Sequence, residues 1–188
     1  MTRKKKLIAA GTVLAFLTYS LLTGGLVVSC TSDFGGQSDI YLAPSLESDI
    51  YIDPSRTDLG IIFVGHYYST SAPYAIRLQL WDDTNSYRSI QIDAVEFTYH
   101  DGTRESYPLA WSKELNMDML GSRPGDARRR WLSETIEDLQ IQHADVSIKL
   151  SGVLFKTDGN SVPFESSQSF QAESQFDTYT FWHVLANI

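Results

Sequence analysis

The chain predicts a mainly β protein: an antiparallel β-sandwich with at most one short helix, preceded by an N-terminal apolar segment. Three observations carry this. Apolar residues after Leu59 recur mostly at a spacing of two, the repeat of a half-buried strand. Turn-forming clusters, Asp82-Asp83-Thr84-Asn85, Asp101-Gly102 and Thr157-Asp158-Gly159-Asn160, separate these runs. Helical spacing is confined to Trp131, Leu132, Thr135, Ile136 and Leu139. The sandwich is immunoglobulin-like by analogy only, because the Cys-Trp-Cys marks of antibody-type domains are missing. An up-and-down barrel is the competing architecture.

The N-terminus comes first. Arg3, Lys4, Lys5 and Lys6 form a basic head, and Leu7 to Ser29 is a stretch of 23 residues without a charge. It closes with Leu26-Val27-Val28-Ser29-Cys30, which holds the sole cysteine of the chain. This arrangement resembles a bacterial lipoprotein precursor, with its signal segment and lipobox. The resemblance covers only the first thirty or so residues and implies lipidation of Cys30, whose thiol supplies the sulfur of a thioether. It also implies an extracytoplasmic, membrane-anchored place in the bacterial cell envelope. Thr31 stands where the Asp associated with inner-membrane retention would be, so in a Gram-negative host the resemblance implies the outer membrane. The stretch also meets the length of a transmembrane helix, roughly 17–25 residues, whereas a signal core runs roughly 7–15. An uncleaved single-pass anchor is therefore the alternative fate. Either way the basic head keeps the rest of the chain outside the cytoplasm.

The expected organisation is residues 1–29 as signal peptide or anchor, 30–37 as a flexible tether, and 38–188 as one β-rich domain. Thr31 to Gly36 is small and polar apart from Phe34, as a tether would be. Ser38-Asp39-Ile40-Tyr41-Leu42-Ala43-Pro44 is echoed by Ser48-Asp49-Ile50-Tyr51-Ile52-Asp53-Pro54. Each copy reads as an edge strand ending at its proline. Ile61-Ile62-Phe63-Val64 suits a central strand. Tyr74, Ile76, Leu78 and Leu80 alternate with Ala75, Arg77, Gln79 and Trp81, so Trp81 falls on the outward phase. Ile90 and Ile92 share a phase that slips to Val95, Phe97 and Tyr99, which predicts a β-bulge near Asp93-Ala94. Asp101-Gly102 predicts a hairpin into a strand carrying Tyr107, Leu109 and Trp111, with Pro108 placing it at an edge. Ser112 to Asp126 reads as an irregular loop and Trp131 to Leu139 as a short helix or turn. Val146, Ile148 and Leu150 resume alternation, with a second bulge-like slip after Gly152. A polar strand follows from Val162 to Phe176, and Tyr179, Phe181, His183 and Leu185 close the domain.

Removing the four basic residues of the head from 15 bases against 23 acids leaves a mature net charge of −12. That acidity excludes nucleic acid as a partner, since nucleic-acid binding needs cationic surface. No Gly-x-Ser-x-Gly elbow, phosphate loop or His-Glu-x-x-His motif occurs, so no catalytic residue, cofactor or metal is assigned. His66 and His183 read as core or interface histidines, and His100 precedes a turn. Arg123, Arg128, Arg129 and Arg130 form the one basic cluster, a candidate for docking an anionic envelope component or envelope protein, or for pairing with the domain's own acids. Trp81 is the candidate stacking residue, while Trp111, Trp131 and Trp182 read as core. The expected function is a lipid-anchored, non-enzymatic binding or structural module. Its alternatives are an anchored component of an envelope complex, or a glycan-acting enzyme with two carboxylates facing each other in a cleft beside Trp81.

Overall fold

A computed structural model describes residues 25–35, 39–61, 65–119 and 128–180, together with 12, 14, 15, 18 and 19. It is mainly β. Nine strands follow one another: β1 (Leu26–Gly35), β2 (Glu47–Ile61), β3 (Gly65–Asp82), β4 (Tyr87–Tyr99), β5 (Arg104–Glu114), β6 (Asn116–Met119), β7 (Arg128–Ile136), β8 (Val146–Lys156) and β9 (Ser161–Thr180). Hydrogen bonds join β5, β4, β8, β9, β1, β3, β7 and β6 in that order, and β2 pairs with β3. No helix among the described residues is long and apolar enough to cross a membrane.

The chain divides into two compact units. The first comprises Met1–Ser32, Arg56–Ser71 and Ser174–Ile188. Here Leu26 to Cys30 pair in parallel with Gly65 to Ser69, a departure from the wholly antiparallel expectation. The Ser32 amide donates to the Thr70 hydroxyl at 3.2 Å. The expected tether is thus a strand as far as Gly35. Backbone pairing, which small polar residues do not forbid, orders it. Ile62, Phe63 and Val64, read as central strand, lie outside the described residues, as do Phe181, Trp182, His183 and Leu185.

The second unit comprises Asp33–Ser55 and Ala72–Glu173 and contains the core. Leu78, Leu80 and Leu132 from β3 and β7 are buried in one cluster with Ile90, Val95 and Phe97 of β4 and Ile148 and Leu154 of β8. Lys113 of β5 reaches Glu134 of β7 at 3.0 Å, although these strands stand far apart in the hydrogen-bonded order, so the sheet curls upon itself.

The internal repeat folds as a pair. The Ile40 amide donates to the Ser48 carbonyl at 2.9 Å, and Asp39 bridges Asp49 in antiparallel fashion. Each Ser-Asp-Ile-Tyr copy turns its isoleucine inward, Ile40 and Ile50 being buried, while Tyr41 is exposed and Tyr51 half-buried. Pro54 does not end β2, which continues to Ile61. Among the described residues β3 is the one strand that β2 pairs with, and an edge strand tolerates a residue without an N–H.

The phase slip in β4 is a bulge: its register against both β5 and β8 shifts between Ile92 and Ala94. The slip expected after Gly152 is absent, for β8 alternates in burial without a break from Val146 to Phe155. Gly152 instead faces Ile92 across the bulge. A Cβ there would lie 2.1 Å from the Gln91 carbonyl oxygen, so the glycine makes room for a neighbour's bulge. The expected helix over Trp131 to Leu139 is mostly strand β7. Leu132 and Ile136, four apart, satisfy a spacing of two as well as a helical turn, and pairing with Ile76 to Asp82 of β3 decides between them. The expected loop from Ser112 is likewise β5 as far as Glu114, buried Leu115, then β6 on β7.

Asp101 and Asp158 shape the two predicted Gly-containing turns. Asp101 accepts from the Thr103 amide at 2.8 Å and Asp158 from the Asn160 amide at 2.9 Å. In each case the amide bond leads the causes that hold the carboxyl below its ordinary value. A folded-state value below the unfolded one contributes stability that is present above about pH 4 and lost as pH falls through the folded value. The melting temperature should therefore fall from pH 5 to pH 3. Asp101→Asn/Asp158→Asn, which keeps in each side chain one oxygen to accept the turn amide, should flatten part of that fall in a pH series of thermal melts.

Candidate functional site

Of the residues singled out from the sequence, Trp81 is the one with a site around it. Tyr74, Ile76, Leu78 and Leu80 are buried on the inner face of β3, which leaves Arg77, Gln79 and Trp81 on the outer face. On β7 Leu132 and Ile136 point inward, so Trp131 lies outward, directly opposite Trp81. Trp131 is half-buried and outside the core it was expected to fill, because Leu132 occupies the inward position. Trp111 is half-buried and packs against the core from β5, and Trp182 lies outside the described residues.

Beside Trp81 runs an open groove of about 310 Å³. One wall is Trp81 with Asp83. The other is the turn that joins the two repeat copies, contributing Tyr41, Ser45 and Glu47 over a floor of Ala43 and Leu46. Tyr41 is 68% exposed, and Ser45, Glu47 and Asp83 are exposed too. No hydrogen bond or ion pair engages the side chains of Ser45, Glu47 or Asp83 among the described residues.

Both walls are tied to the corner between β3 and β4. Asp82 is fully buried and accepts from the Tyr87 amide at 2.7 Å, the Thr84 amide at 3.0 Å and the Thr84 hydroxyl at 2.6 Å. These bonds hold the turn that carries Asp83. Tyr87 is 3% exposed and donates its hydroxyl to the Pro44 carbonyl at 3.1 Å, which holds the opposite wall. Burial, with the Asp82 and Tyr41 charges behind it, raises the Tyr87 phenol above its ordinary value, so it stays a donor at neutral pH. Ser45 has a left-handed backbone, φ 64°, which an L-residue adopts at a cost of about 1 kcal/mol or more.

The basic cluster is dispersed. Arg123 lies outside the described residues. Arg128, Arg129 and Arg130 are in β7, in register with Met119, Asp118 and Met117. Strand alternation sends Arg129 and Arg130 to opposite faces, so the run of charge in sequence is not a run of charge on one surface. Cys30 is a half-buried free thiol in β1, opposite Ser69. His66 is exposed and bonded to Asp58, where a core or interface histidine was expected. His143, which sequence reading left without a role, stacks on Tyr74 and lies 3.2 Å from the Asp33 and Glu173 carbonyls. Among the described residues no group of three or more His, Cys, Asp or Glu could hold a metal ion.

No family model matches this chain, and neither a curated protein nor a solved structure is similar to it.

Sequence reading found Trp81 and missed the rest of the groove. Tyr41 was legible as a repeat residue, but Ser45 and Glu47 were not singled out, and nothing in the spacing of the three brings them to Trp81.

Proposed function

We propose that this protein is a lipid-anchored, extracytoplasmic module of the bacterial cell envelope that acts by binding. The carrying observation is Leu26-Val27-Val28-Ser29-Cys30 behind a basic head and an uncharged stretch. Fatty acyl chains on Cys30 hold the protein to the membrane, each buried CH₂ contributing about 0.8 kcal/mol. In a Gram-negative host that membrane is the outer one. The finer architecture is a β-sandwich; the burial of β3 and β7 side chains in one cluster with those of β4 and β8 supports it. Metabolic labelling with a fatty-acid analogue tests the anchor. We expect label in the native chain and none in Cys30→Ala. Equal labelling of both, or a mature protein that still begins at Met1, rejects the reading.

A second reading has one observation in its favour. Leu26 to Ser29 supply four of the five parallel pairs between β1 and β3, and cleavage before Cys30 would remove them. An uncleaved N-terminal helix, anchoring the domain as one component of an envelope complex, keeps them. The mature N-terminus distinguishes the two.

The groove holds two carboxylates beside Trp81, the arrangement expected of a glycan-acting enzyme. Glycoside hydrolysis, however, relies on one carboxyl kept protonated by an apolar environment. Glu47 and Asp83 are both exposed to water. Exposed carboxylates next to an aromatic ring suit binding better than acid catalysis.

A further inference from the structure

We infer that the groove between Trp81 and the Ala43–Glu47 turn binds an uncharged oligosaccharide. The inference rests on the binding role proposed above, and not on the anchor.

The chemistry of the walls selects the ligand. Exposed Tyr41 and half-buried Trp81 both line the groove with aromatic rings. Such rings gain by covering the C–H face of a sugar ring, which is apolar although its rim is polar. The rim of the groove supplies the complement. Glu47 and Asp83 are acceptor-only when ionised, and Ser45 adds a hydroxyl that both donates and accepts. Sugar hydroxyls are donors in need of acceptors, and charged acceptors make the stronger bonds. Because both ionisable groups lining the groove beside the tyrosine are carboxylates, a phosphorylated or carboxylated ligand would be repelled there. An anionic polymer is thereby disfavoured.

The extent of the aromatic surface selects a chain over a monomer. Trp131 faces Trp81 directly across the β3–β7 pair, on the same outer face. Trp81 and Trp131, both half-buried, thus lie side by side on that face, next to the groove that Tyr41 lines. A small alkylammonium ion, the other ligand that aromatic rings and carboxylates suit, would fill only part of a groove of about 310 Å³. Successive sugar rings would occupy it and continue onto Trp131. The walls are set before binding, since the bonds of Asp82 and Tyr87 hold both of them, which lowers the entropy lost on association.

The test is a titration of the full chain in a polyoxyethylene detergent, which carries neither sugar nor ammonium. Isothermal calorimetry with chitotetraose and with cellotetraose distinguishes N-acetylated from plain glucan chains. Choline is the ammonium arm. We expect at least one tetraose to bind and choline not to. Loss of one stacked ring should weaken binding about tenfold in Trp81→Ala and in Tyr41→Ala. Glu47→Gln/Asp83→Asn removes both charges and leaves one acceptor oxygen in each side chain, so it should weaken binding several-fold. It also serves where Trp81→Ala does not fold. Phe176→Ala, an exposed aromatic outside the groove, should bind as the native chain does. Binding of choline alone, saccharide binding that survives the groove variants, or no binding by either tetraose at 10 mM (roughly −3 kcal/mol or weaker) overturns the inference. Failure here with lipid still found on Cys30 would leave the anchor standing.

Discussion

Gly152→Ala should be the most damaging single-methyl change in the β domain. The new Cβ would sit 2.1 Å from the Gln91 carbonyl oxygen and 3.0 Å from the Gln91 carbonyl carbon and the Ile92 Cα. All three are backbone atoms of β4, and all adjoin the bulge at which that strand changes phase. No rotamer relieves such a contact, so β4 must move away from β8 or lose its bulge. Losing the bulge is the costlier choice. The phase slip lets β4 bury Ile90 and Ile92 before it and Val95 and Phe97 after it, and a one-residue slip exchanges the buried and exposed sets. Overpacking of a well-filled interior costs typically 1–3 kcal/mol and sometimes more. We expect about 3 kcal/mol here, a fall in melting temperature of about 6–12 °C for a chain of this size. Ser151→Ala, one residue away, should stay within about 0.5 kcal/mol. Thermal melts of the two variants that coincide would show that β4 and β8 are not in the contact described.

The second large effect is expected at Asp82. Its carboxylate is fully buried at the end of β3 and receives three hydrogen bonds from the turn leading to β4. These strands are not hydrogen-bonded neighbours, so this corner is where the chain passes from one part of the curled sheet to another. Asp82→Ala leaves the Tyr87 and Thr84 amides without their acceptor. The Tyr87 amide is buried and the Thr84 amide partly so; an unsatisfied buried donor costs about 1–3 kcal/mol, and we expect about 3 kcal/mol in total. Asp82→Asn should recover only part of it. Whichever way the amide is turned, its NH₂ must face either the Tyr87 or the Thr84 amide, donor against donor. Calorimetric unfolding should rank native above Asn above Ala. Since Asp83 lines the groove and Tyr87 holds the Pro44 turn beside it, both variants should also weaken saccharide binding. An Asn variant as stable as the native chain would count against these three bonds as what holds the corner.

The legibility of this fold was uneven, and the residues show why. Where one face of a strand is buried and the other wet, as over Tyr74 to Trp81, alternation alone placed every side chain on its observed face. The bulge near Asp93-Ala94 was legible for the same reason, because a change of phase in buried residues has few other causes. The hairpin at Asp101-Gly102 was legible because Gly102, at φ 86°, adopts a conformation that few other residues accept without cost. Trp131 to Leu139 was misread because Leu132 and Ile136 fit both periods, and only pairing with β3 separates them. Gly152 was assigned to its own strand when it serves its neighbour. Arg129 and Arg130 looked like part of one patch until strand alternation sent them to opposite faces.

Sequence by itself determined what depends on near neighbours along the chain: the apolar leader and its cysteine, the turns, the strand phases and the outward position of Trp81. Tertiary structure alone decided what depends on distant segments meeting. It paired the two Ser-Asp-Ile-Tyr copies with each other and set Trp131 opposite Trp81. It also used Asp82 and Tyr87 to hold Tyr41, Ser45 and Glu47 beside a tryptophan some forty residues away. The physical reason is that periodicity encodes which face of a strand is buried, whereas the identity of the partner strand is set by how the whole core is filled.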